Sequence, residues 1–125
     1  MEETKLMKIA KAAAKNAYAP YSKVQLGAAI KAKSGKIYTG VNVENSSYGL
    51  TNCAERTAIF KAISEGESEF EELAIYVDSD TFFTPCGACR QVIAEFCDNL
   101  KIVVFSNNDK LETSIEELLP KRFKL

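Results

Sequence analysis

Three cysteines and one glutamate carry the chemistry this sequence can offer. Cys86-Gly-Ala-Cys89 sets two thiols three residues apart, which brings them to one side at a helix start. Cys53 and Glu55 lie two apart in Thr51-Asn-Cys53-Ala-Glu55-Arg56. The chain has no histidine, which removes Ser-His and Cys-His dyads, the HExxH zinc site and every imidazole proton shuttle. What remains is carboxylate, thiolate or metal chemistry. A CxxC pair alone reads as a redox centre, half a zinc site or coincidence. A thioredoxin-type pair would directly follow the first strand of a βαβ unit, whereas this one opens the second crossover helix.

Cys53 is expected to open the other crossover helix. Two such helices begin at the carboxyl ends of strands, so their N-termini can converge and bring three thiolates together. Structural zinc sites close with four protein ligands, whereas catalytic sites keep three and leave one position for water. Cys97 is the remaining cysteine, eight residues beyond Cys89 and so roughly 12 Å further along the same helix; it reads as core. Three thiolates on Zn²⁺ leave a net negative charge, which blunts the metal as a Lewis acid. Helix N-termini and the nearby Arg56 and Arg90 can draw charge from the sulfurs. Arg56 is the stronger candidate for that tuning, with surface ion pairing the alternative for both. Glu55 also has two readings: a helix cap reaching back to Asn52, or a proton carrier beside an open zinc position.

The elements that position these groups follow from periodicity. Leu6, Ile9, Ala10, Ala13 and Ala17 recur at helical spacing opposite Lys5, Lys8, Lys11 and Lys15, a helix ending before Ala19-Pro20 whose lysine face reads as solvated. Val24, Leu26, Ala28, Ile30 and Ala32 alternate along a strand, and Ser34-Gly35 turns into a second strand carrying Ile37, Thr39, Val41 and Val43. Asn42 and Glu44 then share that strand's other face. A helix over 52–65 closed by Gly66, a strand over 73–77, a helix over 86–96 behind Pro85, and strands over 101–106 and 110–113 follow. Thr113 with Glu116 reads as a capping box for a last helix stopped by Pro120. The order α-β-β-α-β-α-β-β-α predicts a three-layer α/β/α sandwich: a mixed five-stranded sheet, mainly parallel, with an antiparallel hairpin at each end.

Composition narrows the partners. The 125 residues hold 16 Lys+Arg against 17 Asp+Glu, a net charge of −1 with no global pull toward phosphate backbones. At this length one core is expected, hence a single domain over 1–125. No apolar stretch approaches the ~20 residues of a membrane span, and the N-terminus lacks a signal core, which points to the cytoplasm. Four cysteines in a reducing compartment read as ligands or core rather than disulfides.

With Pro85-Cys86-Gly-Ala-Cys89-Arg90-Gln91 beside Thr51–Arg56, the chain resembles the cytidine deaminase family, and more narrowly its short, all-cysteine, homotetrameric members. The likeness extends from Ala19-Pro-Tyr-Ser through Gly27-Ala-Ala, Asn42-Val-Glu44-Asn45 and Ser47-Tyr48-Gly49 to Leu118-Leu-Pro120. It implies one zinc per chain on Cys53, Cys86 and Cys89, with Glu55 moving protons from water to N3 and then to the leaving amine. Asn42 and Glu44 would bind the ribose hydroxyls, Ala54 would lend its N–H to the base carbonyl, and Tyr48 would line the pocket. The implied activity is hydrolytic deamination of cytidine and 2′-deoxycytidine to the uridines, with ammonia released.

Two departures stand out. Val24 occupies a place where the family usually carries a phenylalanine against the pyrimidine. The end of the chain is short, which makes Phe123 the candidate for the phenylalanine that completes a neighbouring subunit's site. Rival readings are a blasticidin-type antibiotic deaminase with the same zinc chemistry, a polynucleotide-editing deaminase, which neutral charge disfavours, and a non-catalytic zinc-binding domain, which would want a fourth ligand.

Overall fold

The lysine-striped helix forms α1 (Lys5–Ala13), with Thr4 as its N-cap accepting the Met7 amide at 3.3 Å. In the computed structural model, which describes residues 1–125, α1 tightens into a 3₁₀ turn at Ala14–Asn16 before the chain reaches Pro20. Five strands follow: β1 (Leu26–Ala32), β2 (Ile37–Val41), β3 (Phe70–Val77), β4 (Lys101–Phe105) and β5 (Lys110–Ser114). The remaining helices are α2 (Ala54–Ser64), α3 (Gly87–Phe96) and α4 (Ile115–Leu118). No helix is long and apolar enough to cross a membrane.

The strands form one mixed sheet in the order β2-β1-β3-β4-β5, with hairpins β1–β2 and β4–β5 at its two edges as expected. The expectation of a mainly parallel sheet is corrected. Only β3 and β4 pair in parallel; β1 pairs antiparallel with both β2 and β3. The hairpin fold-back of β1 explains this. β2 and β3 run in the same direction and α2 links them, but β1 lies between them, so the crossover spans an antiparallel neighbour.

Alternation along the strands sorts the apolar residues into two layers. Ala28, Ile30, Leu73, Ile75, Ile102 and Val104 face α2, α3 and α4, with Ala58, Ile59 and Ile93 packed onto them. Ala29, Ala74, Tyr76, Val103 and Phe105 face α1, which presents Leu6, Met7 and Ala10. Each large side chain fully buried here, such as Phe105 or Met7, contributes roughly 1.5–3 kcal/mol over its exposed state.

The helices sit unusually close to the sheet where glycines allow it. A Cβ on Gly27 would lie 2.1 Å from the Ala10 carbonyl oxygen, and one on Gly40 would lie 2.4 Å from the Ala54 carbonyl oxygen and 2.3 Å from the Ala58 nitrogen. Gly40 therefore fixes the height of the first turn of α2. Two local expectations shift. The last helix is capped by Ser114, which accepts the Glu117 amide, while Thr113 donates to the Glu117 carboxylate; the capping pair lies one residue on from Thr113 and Glu116. Strand β3 also begins earlier than residue 73, because Phe70 pairs with Ala32 after an irregularity in the β1 register.

Candidate metal centre and adjoining cavity

Both helices that meet at the site begin on a cysteine. Cys53 is the N-cap of α2 and Cys86 that of α3, and neither side chain makes a capping hydrogen bond. Positions usually filled by Ser, Thr, Asp or Asn are given to thiols, so the positive ends of two helices point at sulfur. Cys89, one turn into α3, is fully buried and its sulfur lies 3.6 Å from that of Cys86. The sulfurs of Cys53, Cys86 and Cys89 all lie within 4.8 Å of one another, positioned to bind a metal ion. Cys97 stays apart at the end of α3, in the hydrophobic layer, where burial pushes its thiol up to about 11.

The electrostatics fit a cation at this point. The Cys89 thiol and the Arg56 guanidinium donate to Cys53 and hold its thiol down at about 5. Arg56 Nη2 lies 3.3 Å from that sulfur. Cys89, hydrogen-bonded to Cys53 and buried, is shifted the other way and holds the proton. Glu55 is 3% exposed, its Oε1 has no hydrogen-bond partner, and burial pushes its carboxyl up to about 7. It does not reach back to Asn52, whose amide donates to the Thr57 hydroxyl instead. An orphaned carboxyl oxygen beside three gathered thiols is a donor set that a bound cation and its water would complete. Arg90 touches no sulfur. It donates to the Pro85 carbonyl, the Thr84 hydroxyl and the Leu118 carbonyl, each at 2.7 Å, and so ties the start of α3 to the end of α4.

A cavity of about 360 Å³ opens beside the thiols. Cys53, Ala54, Glu55 and Cys86 form one side of it, Asn42 and Glu44 another, and Val24, Leu26, Ile75 and Phe83 give apolar walls. Ala54, the first residue of α2, is fully buried there, and its amide is one of those a helix start leaves without an intrahelical acceptor.

Asn42 and Glu44 line the same cavity, but from beyond the end of β2 rather than within it. Val43 between them pairs with Tyr18 on one side and with Asn52 on the other. Because Asn52 adjoins Cys53, two backbone hydrogen bonds (Val43 N to Asn52 O, 2.9 Å, and Asn52 N to Val43 O, 3.0 Å) lock this segment to the thiol cluster. Asn42 is held by its own contacts: Oδ1 accepts the Leu26 amide at 2.8 Å and Nδ2 donates to the Val24 carbonyl at 2.9 Å.

The remaining candidates sit differently. Tyr48 is 77% exposed in a 3₁₀ turn and does not line the cavity; it flanks an adjoining open groove with Tyr21, Ser22, Glu44 and Thr51. Phe123 is exposed and lies outside its own chain's cavity, on a tail strapped to α3. The straps are Arg122 to the Ala94, Cys97 and Asp98 carbonyls and Gln91 to the Phe123 carbonyl. Phe83, Leu26 and Ser22 also line the cavity, and sequence reasoning assigned none of them a role there. The one signal for Phe83 was an aromatic pair just ahead of the Pro85-Cys86 helix start.

Comparison with known proteins places this geometry. Residues 1–106 match the family model described as the cytidine and deoxycytidylate deaminase zinc-binding region. A cytidine deaminase of Sporosarcina psychrophila is 50% identical over 125 residues, covering 98% of this chain and 92% of that protein. The 1.6 Å crystal structure of cytidine deaminase from Burkholderia pseudomallei superposes with a TM-score of 0.92 at 45% identity, covering 98% of this chain and all of that one. A blasticidin-S deaminase of Bacillus cereus is 33% identical over 110 residues, 82% of this chain and 79% of its own length.

Proposed function

Because the chain belongs to the cytidine and deoxycytidylate deaminase family, we propose that it is a zinc-dependent enzyme converting cytidine and 2′-deoxycytidine to the uridines with release of ammonia. One observation carries the reading: a buried carboxyl with an unpartnered oxygen stands against three gathered thiols on the wall of a nucleoside-sized cavity. Cys53, Cys86 and Cys89 would hold the zinc, which when bound supplies a Lewis acid that lowers the pKa of a coordinated water.

The chain's own groups do the rest. Glu55 takes one proton from the attacking water to ring N3, then a second to the amine nitrogen leaving C4. A carboxyl shifted to about 7 by burial can serve as base and acid in turn near neutral pH. The Ala54 amide donates to the base carbonyl, and Asn42 and Glu44 take the sugar hydroxyls. Val24 packs against the ring with an aliphatic side chain. Arg56, on the Cys53 sulfur, draws off part of the thiolate charge.

We read residues 1–125 as one deaminase domain, working in the cytoplasm, where reducing conditions keep ligand thiols free. A homotetramer is supported by the apolar groups left uncovered on this chain, among them Phe83 in the cavity wall, Tyr48 in the adjoining groove, and Phe123, which is exposed and outside its own chain's cavity. In that assembly Phe123 and Tyr48 would line a nucleoside site together with a neighbouring subunit.

The test is ultraviolet-monitored turnover of cytidine by zinc-quantified protein, with blasticidin S in parallel. Loss of the cytidine absorbance at about one zinc per chain is expected; reaction with blasticidin S alone would move the substrate to the antibiotic. Glu55→Ala should retain zinc and lose about 10²–10⁴-fold in kcat. Near wild-type turnover by that variant removes Glu55 from the mechanism.

A further inference from the structure

The carboxylate of Glu44 is already occupied before any sugar arrives. Its Oε1 accepts the backbone amides of Tyr21 at 2.9 Å and Ser22 at 3.1 Å, and its Oε2 accepts the Ser22 hydroxyl at 2.5 Å. The direction of that last bond is settled by its neighbour. The Val24 amide donates to Ser22 Oγ at 3.1 Å, so the hydroxyl's own proton is free to go to Glu44. These contacts keep the Glu44 carboxyl below its ordinary range, the Ser22 hydroxyl foremost.

The turn that supplies the donors is itself built for the purpose. Lys23 N donates back to the Ala19 carbonyl at 3.1 Å, and Lys23 adopts a left-handed φ of 64°, a conformation a lysine seldom takes. Successive amides ahead of such a residue form a concave anion receptor. The Tyr21 hydroxyl lies 2.6 Å from Ser46 Oγ and its ring packs edge-on against Tyr48 at 6.2 Å, which pins the turn to the segment carrying Glu44.

A carboxylate offers about four lone pairs. Three are taken here, which leaves one, on Oε2. We propose that Ser22 is a positioning residue for sugar recognition: with the Tyr21 and Ser22 amides it holds Glu44 so that one lone pair faces the cavity and accepts one sugar hydroxyl. Ser22 also couples two walls of the site, because the Val24 amide it accepts belongs to the residue that packs against the base. This deepens the nucleoside reading above and rests on it.

The experiment is steady-state kinetics on cytidine for the wild type, Ser22→Ala, Ser22→Thr, Glu44→Gln and the Ser22→Ala/Glu44→Gln double variant, each checked for zinc content and Tm. Ser22→Ala should raise KM roughly five- to tenfold and change kcat less than about twofold, since one hydrogen bond to a charged group is lost away from the reacting atoms. Ser22→Thr should restore most of the KM. In the Glu44→Gln background Ser22→Ala should add less than about twofold, because the hydroxyl then has no carboxylate to hold. A wild-type KM for Ser22→Ala, or an equal rise on top of Glu44→Gln, overturns the proposal. If the wild type leaves cytidine untouched, the nucleoside reading fails. The clamp is still tested by the ¹³C resonance of the Glu44 carboxyl, whose titration should move to higher pH in Ser22→Ala with Lys23 unchanged; an unmoved titration overturns it.

Discussion

On the thiol side of the cavity Glu55 Oε1 and Arg56 Nε are buried without hydrogen-bond partners, whereas on the sugar side the Asn42 and Glu44 side chains are held by main-chain amides, a main-chain carbonyl and the Ser22 hydroxyl. The first arrangement is costly in isolation, about 1–3 kcal/mol for each buried group left unpaired. The second is nearly complete as it stands. The difference follows from what each side must do. Groups that move protons or meet a metal must be free to change partners, and the cost is offset when metal and substrate arrive. Groups that only recognise a hydroxyl work best when their orientation is settled beforehand.

The sharpest way to break this comparison is to remove a ligand from the unsatisfied side. Cys89→Ala should abolish zinc binding and turnover together, read by metal analysis and the cytidine assay, and chelation of the wild type should lower its Tm by several degrees. Zinc retention by the wild type should weaken as pH falls, because the proton that Cys89 holds must leave before its sulfur can ligate. Retained zinc in Cys89→Ala would mean that a ligand other than this thiol completes the site.

On the settled side, Asn42→Ala should cost about 1 kcal/mol of stability, since the part-buried Leu26 amide and Val24 carbonyl lose their partner. Denaturant unfolding measures it, and KM should rise with zinc content unchanged. Stability equal to wild type would show that Asn42 is held for the sugar alone. The smallest effect belongs to the apolar wall. Val24→Phe should lower KM by about fivefold, equivalent to ~1 kcal/mol of ring packing, with kcat unaltered. A raised KM would mean that the cavity has no room for the larger ring.

Much of this was legible in the sequence because it rests on local chemistry. CxxC spacing at a helix start, a lysine-striped helix and alternation along Leu26–Ala32 all report short-range geometry, and α1, α2, α3, β1 and the thiol cluster follow from them. Strand pairing does not. That β1 would lie between β2 and β3 depends on contacts between distant segments, and no spacing within either strand announces it. Ser22, the last residue of Ala19-Pro-Tyr-Ser, carries no role legible in the sequence for a similar reason: a serine in a turn is ordinary, and its value comes from Glu44, which the fold delivers from 22 residues away. The shift of the last cap to Ser114 reflects a competition among adjacent hydroxyl residues that sequence alone leaves balanced.

The bare backbone contacts at Gly27 and Gly40 have a consequence for how this sequence can drift. Each is a position where a single added methyl would collide with helix main chain, which has no rotamer to yield. In a saturation library scored by survival, both should be depleted of every alternative, alanine included. Gly49 and Gly87 have open space around the missing Cβ and should accept many residues. Random variation would therefore reach the turn at Gly49 and the first residue of α3 long before it could alter how close α2 sits to the sheet. Substrate preference is free to wander on this scaffold while the spacing that gathers the three thiols is not.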